Sequence, residues 1–142
     1  MLIAQISDLH VNLPGRLAYG RVNTDGMLGD CVAAINRLDP RPDLVVITGD
    51  LVDRGRPDEY AYLRKILEPL GAPLVVIPGN HDEREAMRTA FSDGAYLPAA
   101  GFLHFVIDDY PLRIVGLDTV IPGQGGGALC AERLCWLDSV LS

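Results

Sequence analysis

The chain alternates short apolar runs with segments whose apolar residues return every three or four positions. Leu2–Ser7 is apolar except at Gln5 and predicts a first strand. Leu44–Thr48 is a continuous apolar run, the pattern of a parallel strand buried on both faces. Pro73–Ile77 predicts a third strand. Between the first two, Met27, Leu28, Cys31, Val32, Ile35 and Leu38 share a helical face, which predicts a helix over Thr24–Leu38. Asn23 or Thr24 can cap its start, and Asp39-Pro40-Arg41-Pro42 ends it. A second helix starts at Pro57, carries Tyr60, Leu63, Ile66, Leu67 and Leu70 on one side, and ends at Gly71. A third starts at Asp82 or Glu83 and runs to about Phe91, with acids where the helix dipole favours them. The pattern is βαβαβα, and it implies a parallel sheet with right-handed crossovers.

After Phe91 the pattern changes. Phe102–Asp108 and Leu112–Asp118 flank Asp109-Tyr110-Pro111 and predict a β-hairpin. Pro122–Gly127 reads as a flexible connector, and Cys130–Leu141 as a last helix with Leu134, Leu137 and Leu141 on one side. Trp136 is expected in the core under that helix. The 142 residues, 49% of them hydrophobic, suit one domain with a real core. A formal net charge of -7 argues against a general nucleic-acid-binding surface. Cys31, Cys130 and Cys135 have no disulfide or zinc-knuckle spacing and are expected as buried free thiols. No signal-peptide pattern or membrane-spanning run is present, so a cytoplasmic setting is the expectation.

The chemistry lies where the strands end. Asp8 follows the first strand, Asp50 the second and Asn80 the third. Ligands of open α/β sheets bind beyond the carboxyl ends of the strands, so these three side chains can share one crevice. Asp8 and His10 stand two apart, and in extended chain both would face one way. A carboxylate with an imidazole suits Fe, Mn, Co or Zn better than Ca. Asp50, between the other two, could bridge two ions ~3.5–4 Å apart, an arrangement that polarises a phosphoryl group. Gly49 and Gly79 would let the backbone approach the ions.

Asp8-Leu9-His10, Gly49-Asp50-Leu51-Val52-Asp53-Arg54-Gly55 and Gly79-Asn80-His81-Asp82 together resemble the calcineurin-like metallophosphoesterases. Gly55-Arg56-Pro57-Asp58-Glu59-Tyr60 looks most like the bacterial branch that hydrolyses cyclic nucleotides and glycerophosphodiesters. The resemblance implies the N-terminal half of a four-layer α/β/β/α sandwich. It implies two divalent transition metals, with Asp8 and His10 on the first, Asp50 bridging and Asn80 on the second. A metal-held hydroxide would attack a small phosphodiester substrate. Asn80 and His81 are the expected substrate contacts, His81 meeting phosphate or assisting the leaving group, and Asp82 is expected to orient the His81 imidazole. Asp53 is expected to hold the loop by hydrogen bonds.

The pattern departs from that family toward its end. The family continues with three more ligand histidines, whereas His104 is the only histidine here besides His10 and His81. His104 falls inside a predicted strand. Residues 1–142 are therefore expected to be the N-terminal part of a longer enzyme, weak or inactive alone. Apolar surface left open by truncation would favour association into a homo-oligomer. Two other readings remain: a non-catalytic, weakly metal-binding module, and a protein serine/threonine phosphatase-like monoesterase suggested by Val52-Asp53-Arg54-Gly55. Arg54 can equally be a solvated partner of Asp53 or Asp58. Arg16 and Tyr19 lie in the loop after the first ligand pair, where solvation is their default role.

Overall fold

In the computed structural model, which describes residues 1–142, β1 (Ile3–Ile6), β2 (Leu44–Thr48) and β3 (Leu74–Ile77) form a parallel sheet in that spatial order. Ile6 stands opposite Ile47, and Ile47 opposite Val76, so the three strands deliver their carboxyl ends side by side. The connections are α1 (Thr24–Asn36) and α2 (Pro57–Leu67), and α3 (Arg84–Ala90) follows β3. Alternation along each strand divides the core. Ile47 and Val76 pack with Leu28, Val32, Leu63 and Met87 from the helices. Leu44 and Val75 point the other way, onto Phe105. β2 is thus buried on both faces, as its unbroken apolar run requires. Ile3 and Gln5 of the edge strand β1 are exposed.

The second face is covered by an antiparallel ribbon, β4 (Phe105–Ile107) with β5 (Ile114–Gly116), and the last helix is α4 (Ala131–Leu141). The ribbon is shorter than the predicted hairpin because its flanks bond elsewhere. Leu103 N–H donates to the Asp118 carboxylate at 3.0 Å instead of to a neighbouring strand. At the other end Arg113 Nε donates to Asp108 Oδ1 at 2.7 Å. His104 consequently precedes β4 rather than lying within it.

Two helical expectations are corrected, and a third is narrowed to one of its two alternatives. α1 buries only Leu28, Val32 and Ile35, while Met27 and Leu38 are exposed; the helix stops at Asn36, two residues before Leu38. α2 ends at Leu67 rather than Gly71. Glu83, not Asp82, caps α3, accepting from the N–H groups of Glu85 and Ala86. The free thiols are also less buried than their apolar character suggested: Cys31 is half-buried, and Cys130 and Cys135 are exposed.

A polar network joins α3, β5 and α4. Asp118 is fully buried, and Arg84 grips it with Nε at 2.7 Å and Nη2 at 2.8 Å. Arg133 Nη1 donates to the carbonyls of Asp118 and Val120. The Phe102 ring lies under both guanidinium groups, at 5.1 Å and 4.5 Å. His104 stacks on Trp136 at 4.6 Å and accepts the Asp118 N–H on Nδ1 at 3.0 Å. Trp136 is therefore a half-buried lid on this network rather than a core residue. Burial pushes the Asp118 pKa up, but the Arg84 hydrogen bond and the N–H groups of Leu103 and Val120 outweigh it and hold the carboxyl below its ordinary value.

Two outcomes follow from this network. Arg84→Met leaves Asp118 as a buried charge without its counter-ion, and should cost about 3–5 kcal/mol in a chemical denaturation experiment. His104 titrates below its ordinary 6.5, chiefly through burial. A depressed histidine pKa means the unfolded chain takes up the proton first. The stability held above pH 6.5 should fall as the pH drops below that value. Denaturation midpoints at pH 7.5 and 5.5 should differ for the native chain and converge in His104→Gln.

Candidate metal centre

The ends of β1 and β2 are laced together past the last sheet residue. Asp8 N–H donates to Gly49 O at 3.1 Å, His10 N–H to Asp50 O at 2.9 Å and Asp53 N–H to Val11 O at 3.1 Å. The backbone bends sharply to do this. Asp8, His10 and Asp50 have φ of 55°, 42° and 50°, left-handed values that non-glycine residues rarely take. Three such residues in one cluster mark a site where local strain is held by its surroundings. Gly49, at φ 91°, turns the chain just before Asp50.

These bends bring the expected ligands together. Asp8, His10 and Asp50 each offer a donor atom within 4.8 Å of the other two. His10 Nε2 is 3.8 Å from Asp50 Oδ2. His10 Nδ1 is buried without a hydrogen-bond partner. Asp8 is paired with Ser7 Oγ at 2.5 Å. The second oxygen of Asp50, Oδ1, accepts the His81 N–H at 2.9 Å, which ties β2 to the loop after β3. Gly79 is the point of closest approach, because a Cβ there would overlap both the carboxylate and the N–H of Asp50. Asn80 follows, exposed at the end of β3. Asn80, His81, Asp53 and Arg54 line a cavity of about 360 Å³ whose other wall is Gly123–Gly125, so the glycine-rich connector sits against the site.

The orienting role expected of Asp82 is not what the geometry gives. Asp82 is buried, and its oxygens accept from Gly79 N–H at 2.8 Å, Leu51 N–H at 3.2 Å and Tyr60 Oη at 2.8 Å. None reaches His81. His81 Nδ1 lies 2.7 Å from the Asp53 carbonyl oxygen, which fixes the ring through main chain. A carbonyl only accepts, so Nδ1 carries the proton and Nε2 presents a lone pair. Burial raises the Asp82 pKa, and the Gly79 and Tyr60 hydrogen bonds only partly offset that.

Three supporting residues were not singled out from sequence. Tyr60 is fully buried and joins Asp82 to the Glu83 N–H, which donates to its hydroxyl at 3.2 Å. Glu59 is fully buried, and its Oε2 accepts from Arg54 and Arg56 N–H at 3.0 and 3.2 Å, shaping the loop after Asp50. Asn12 donates to Asp53 at 3.2 Å. Glu59 stands at the third position of a helix that begins at Pro57, where a side chain turning back on the N-terminus is a known signal. Asp53 holds the loop as expected, and Arg54 is the exposed partner of Asp53 at 3.4 Å. Tyr19 is exposed, with its ring centroid 5.9 Å from that of His10.

The donor chemistry fits a hard-to-borderline divalent ion at Asp8, His10 and Asp50. Toward a second ion the chain offers the remaining capacity of Asp50 and the Asn80 amide. His104 does not join them, because its Nδ1 is bonded to Asp118 and its ring is stacked on Trp136.

A family profile described as calcineurin-like phosphoesterase matches residues 1–138. The chain is 41% identical over its whole length to a protein of Arcobacter nitrofigilis named a probable glycerophosphodiester phosphodiesterase, covering 52% of that relative. It is 36% identical to a glycerophosphodiester phosphodiesterase of Enterobacter lignolyticus, again covering 52%. It is 40% identical to a cAMP/cGMP dual specificity phosphodiesterase of Mycobacterium tuberculosis, covering 45%. The chain thus spans about half the length of these curated relatives.

Gly79→Ala tests the frame of the site. The added methyl must push Asp50 away, so Mn²⁺ affinity by calorimetry should fall about 10–100-fold. The accompanying loss of stability should be only about 1–3 kcal/mol, with the circular dichroism spectrum retained.

Proposed function

The chain belongs to the calcineurin-like phosphoesterase family, and on that premise we propose that it carries the metal-binding part of a phosphodiesterase site. The substrate class is a small phosphodiester, either a cyclic nucleotide or a glycerophosphodiester. The carrying observation is the convergence of Asp8, His10 and Asp50 on one point at the ends of two adjacent strands. The relatives' names support diester rather than monoester hydrolysis.

The family is metal-dependent, and Asp8, His10, Asp50 and Asn80 are the residues that would hold two divalent transition ions of the Fe, Mn, Co or Zn class. Bound there, such ions supply Lewis acidity for a phosphoryl oxygen and generate a nucleophile at neutral pH. The protein's own contributions are separable. Asp8 and Asp50 bring negative charge to a chain of net charge -7, which bound cations offset. His81, held by the Asp53 carbonyl, lines the cavity it shares with Asn80, where its imidazolium form, with a proton on Nε2 as well, can donate to a phosphate oxygen or pass that proton to a departing alkoxide. Asp82 acts on the frame by fixing Gly79 and Leu51. The three thiols, none of them in a disulfide, fit a reducing cytoplasmic setting. No helix is long and apolar enough to cross a membrane.

A second reading, a metal-binding module without turnover, draws on the chain's having three histidines, of which His10 alone joins the Asp8 and Asp50 carboxylates. The two separate in one assay. With Mn²⁺, Fe²⁺ or Co²⁺ the chain should cleave bis(p-nitrophenyl) phosphate slowly, in preference to p-nitrophenyl phosphate. Asp50→Asn should lower both the metal affinity and the rate by at least about 100-fold. Metal bound at Asp50 with no diester cleavage would leave only the module.

A further inference from the structure

A second set of ligand atoms converges on the same imidazole. His10, Asp53 and His81 each present a donor within 4.8 Å of the other two. In tetrahedral zinc sites with ~2.0–2.1 Å bonds, ligand atoms stand about 3.3 Å apart, a spacing that small side-chain rotations reach from here. Three observations point to a ligand set. First, His81 is tethered by Nδ1 to a backbone carbonyl at 2.7 Å, the support that metal-binding histidines ordinarily have, and its Nε2 lone pair is free. Second, the hydrogen bonds onto the Asp53 carboxylate, from Asn12 and Arg54, both fall on Oδ2, leaving Oδ1 without a protein donor. Third, the His10 and His81 rings meet edge to face with centroids 4.7 Å apart, so one ion can reach both.

We propose that His10, Asp53 and His81 form an alternative site for a borderline divalent cation such as Zn²⁺. It shares His10 with the Asp8–His10–Asp50 site, so that only one of the two is filled at a time. The exclusion follows from His10 itself, because a neutral imidazole has one lone pair to give. The two sites differ in chemistry. Two carboxylates and an imidazole suit Mn²⁺, whereas two imidazoles and a carboxylate suit Zn²⁺. An ion on the second site takes His10 from Asp8 and Asp50 and occupies His81. Zinc in excess would therefore inhibit, a consequence that rests on the phosphodiesterase reading, while the binding itself does not.

The test titrates the 142-residue chain with Zn²⁺ and separately with Mn²⁺ by calorimetry, and follows the histidine ring nitrogens by NMR during the Zn²⁺ titration. The expected result is one equivalent of Zn²⁺, with ring signals of both His10 and His81 shifted. Asp53→Asn and His81→Asn should each weaken Zn²⁺ by at least about tenfold and leave Mn²⁺ nearly unchanged, and Asp8→Asn should do the reverse. Zinc affinity that falls in Asp8→Asn but not in Asp53→Asn overturns the proposal. So do His81 ring signals that stay fixed in the native chain, a readout that needs no variant to fold, and so does simultaneous binding of one Zn²⁺ and one Mn²⁺ in which the Mn²⁺ is lost on Asp8→Asn. A chain that binds Zn²⁺ as described and cleaves no diester upholds this site and sinks the function proposed above.

Discussion

The ends of β2 and β3 are held at their working distance by the buried carboxylate of Asp82. It gathers the N–H of Leu51, the N–H of Gly79 and the Tyr60 hydroxyl. Without it those two N–H groups would be stranded at the loop junction, and each unpaired buried donor costs about 1–3 kcal/mol. Its environment is nevertheless unfavourable to charge. Its donors are neutral, burial dominates, and its pKa is raised, so above the ordinary carboxyl value the ionised form costs stability. Asp118 is the opposite case. It is fully buried but has a guanidinium, and its pKa is lowered. One carboxylate stabilises the fold by its charge, while the other is tolerated for where it places the chain.

Everything at the site hangs from that placement. Gly79 can press against Asp50 only because Asp82 draws both loops inward, and the His81 N–H then meets Asp50 Oδ1. The same closeness sets the His81 ring on the Asp53 carbonyl and brings it edge to face with His10. The overlap of two donor triads on one imidazole is thus a by-product of packing two strand ends tightly.

How much was legible in the sequence depended on the range of the interaction. β2 was plain, because burial on both faces leaves an unbroken apolar run. The grouping of Asp8, His10 and Asp50 was legible too, because parallel pairing in order fixes which strand ends are neighbours. The partner of Asp82 was not. Adjacency suggested His81, but side chains on consecutive residues diverge, and two of the three true partners lie 31 and 22 residues away. Tyr60 was legible as part of the apolar face of α2, but the partners of its hydroxyl were hidden in the same way, as was the burial of the charged Glu59 beside it. The hairpin was overextended because Asp118 turns inward to Arg84, a choice set by a helix 34 positions earlier. The exposed cysteines show the limit of reading an apolar residue type as a buried position.

The left-handed backbone at Asp8, His10 and Asp50 is strain held by its surroundings. Its consequence concerns how the cation's free energy is used. In many small metal domains the ion assembles its own ligands, and affinity is spent on folding. Here the awkward dihedrals are already locked by sheet pairing, by the Gly79 contact and by the loop hydrogen bonds. On the proposed reading the centre would be a socket rather than a clasp, in which one ion could be traded for another while the scaffold stays closed.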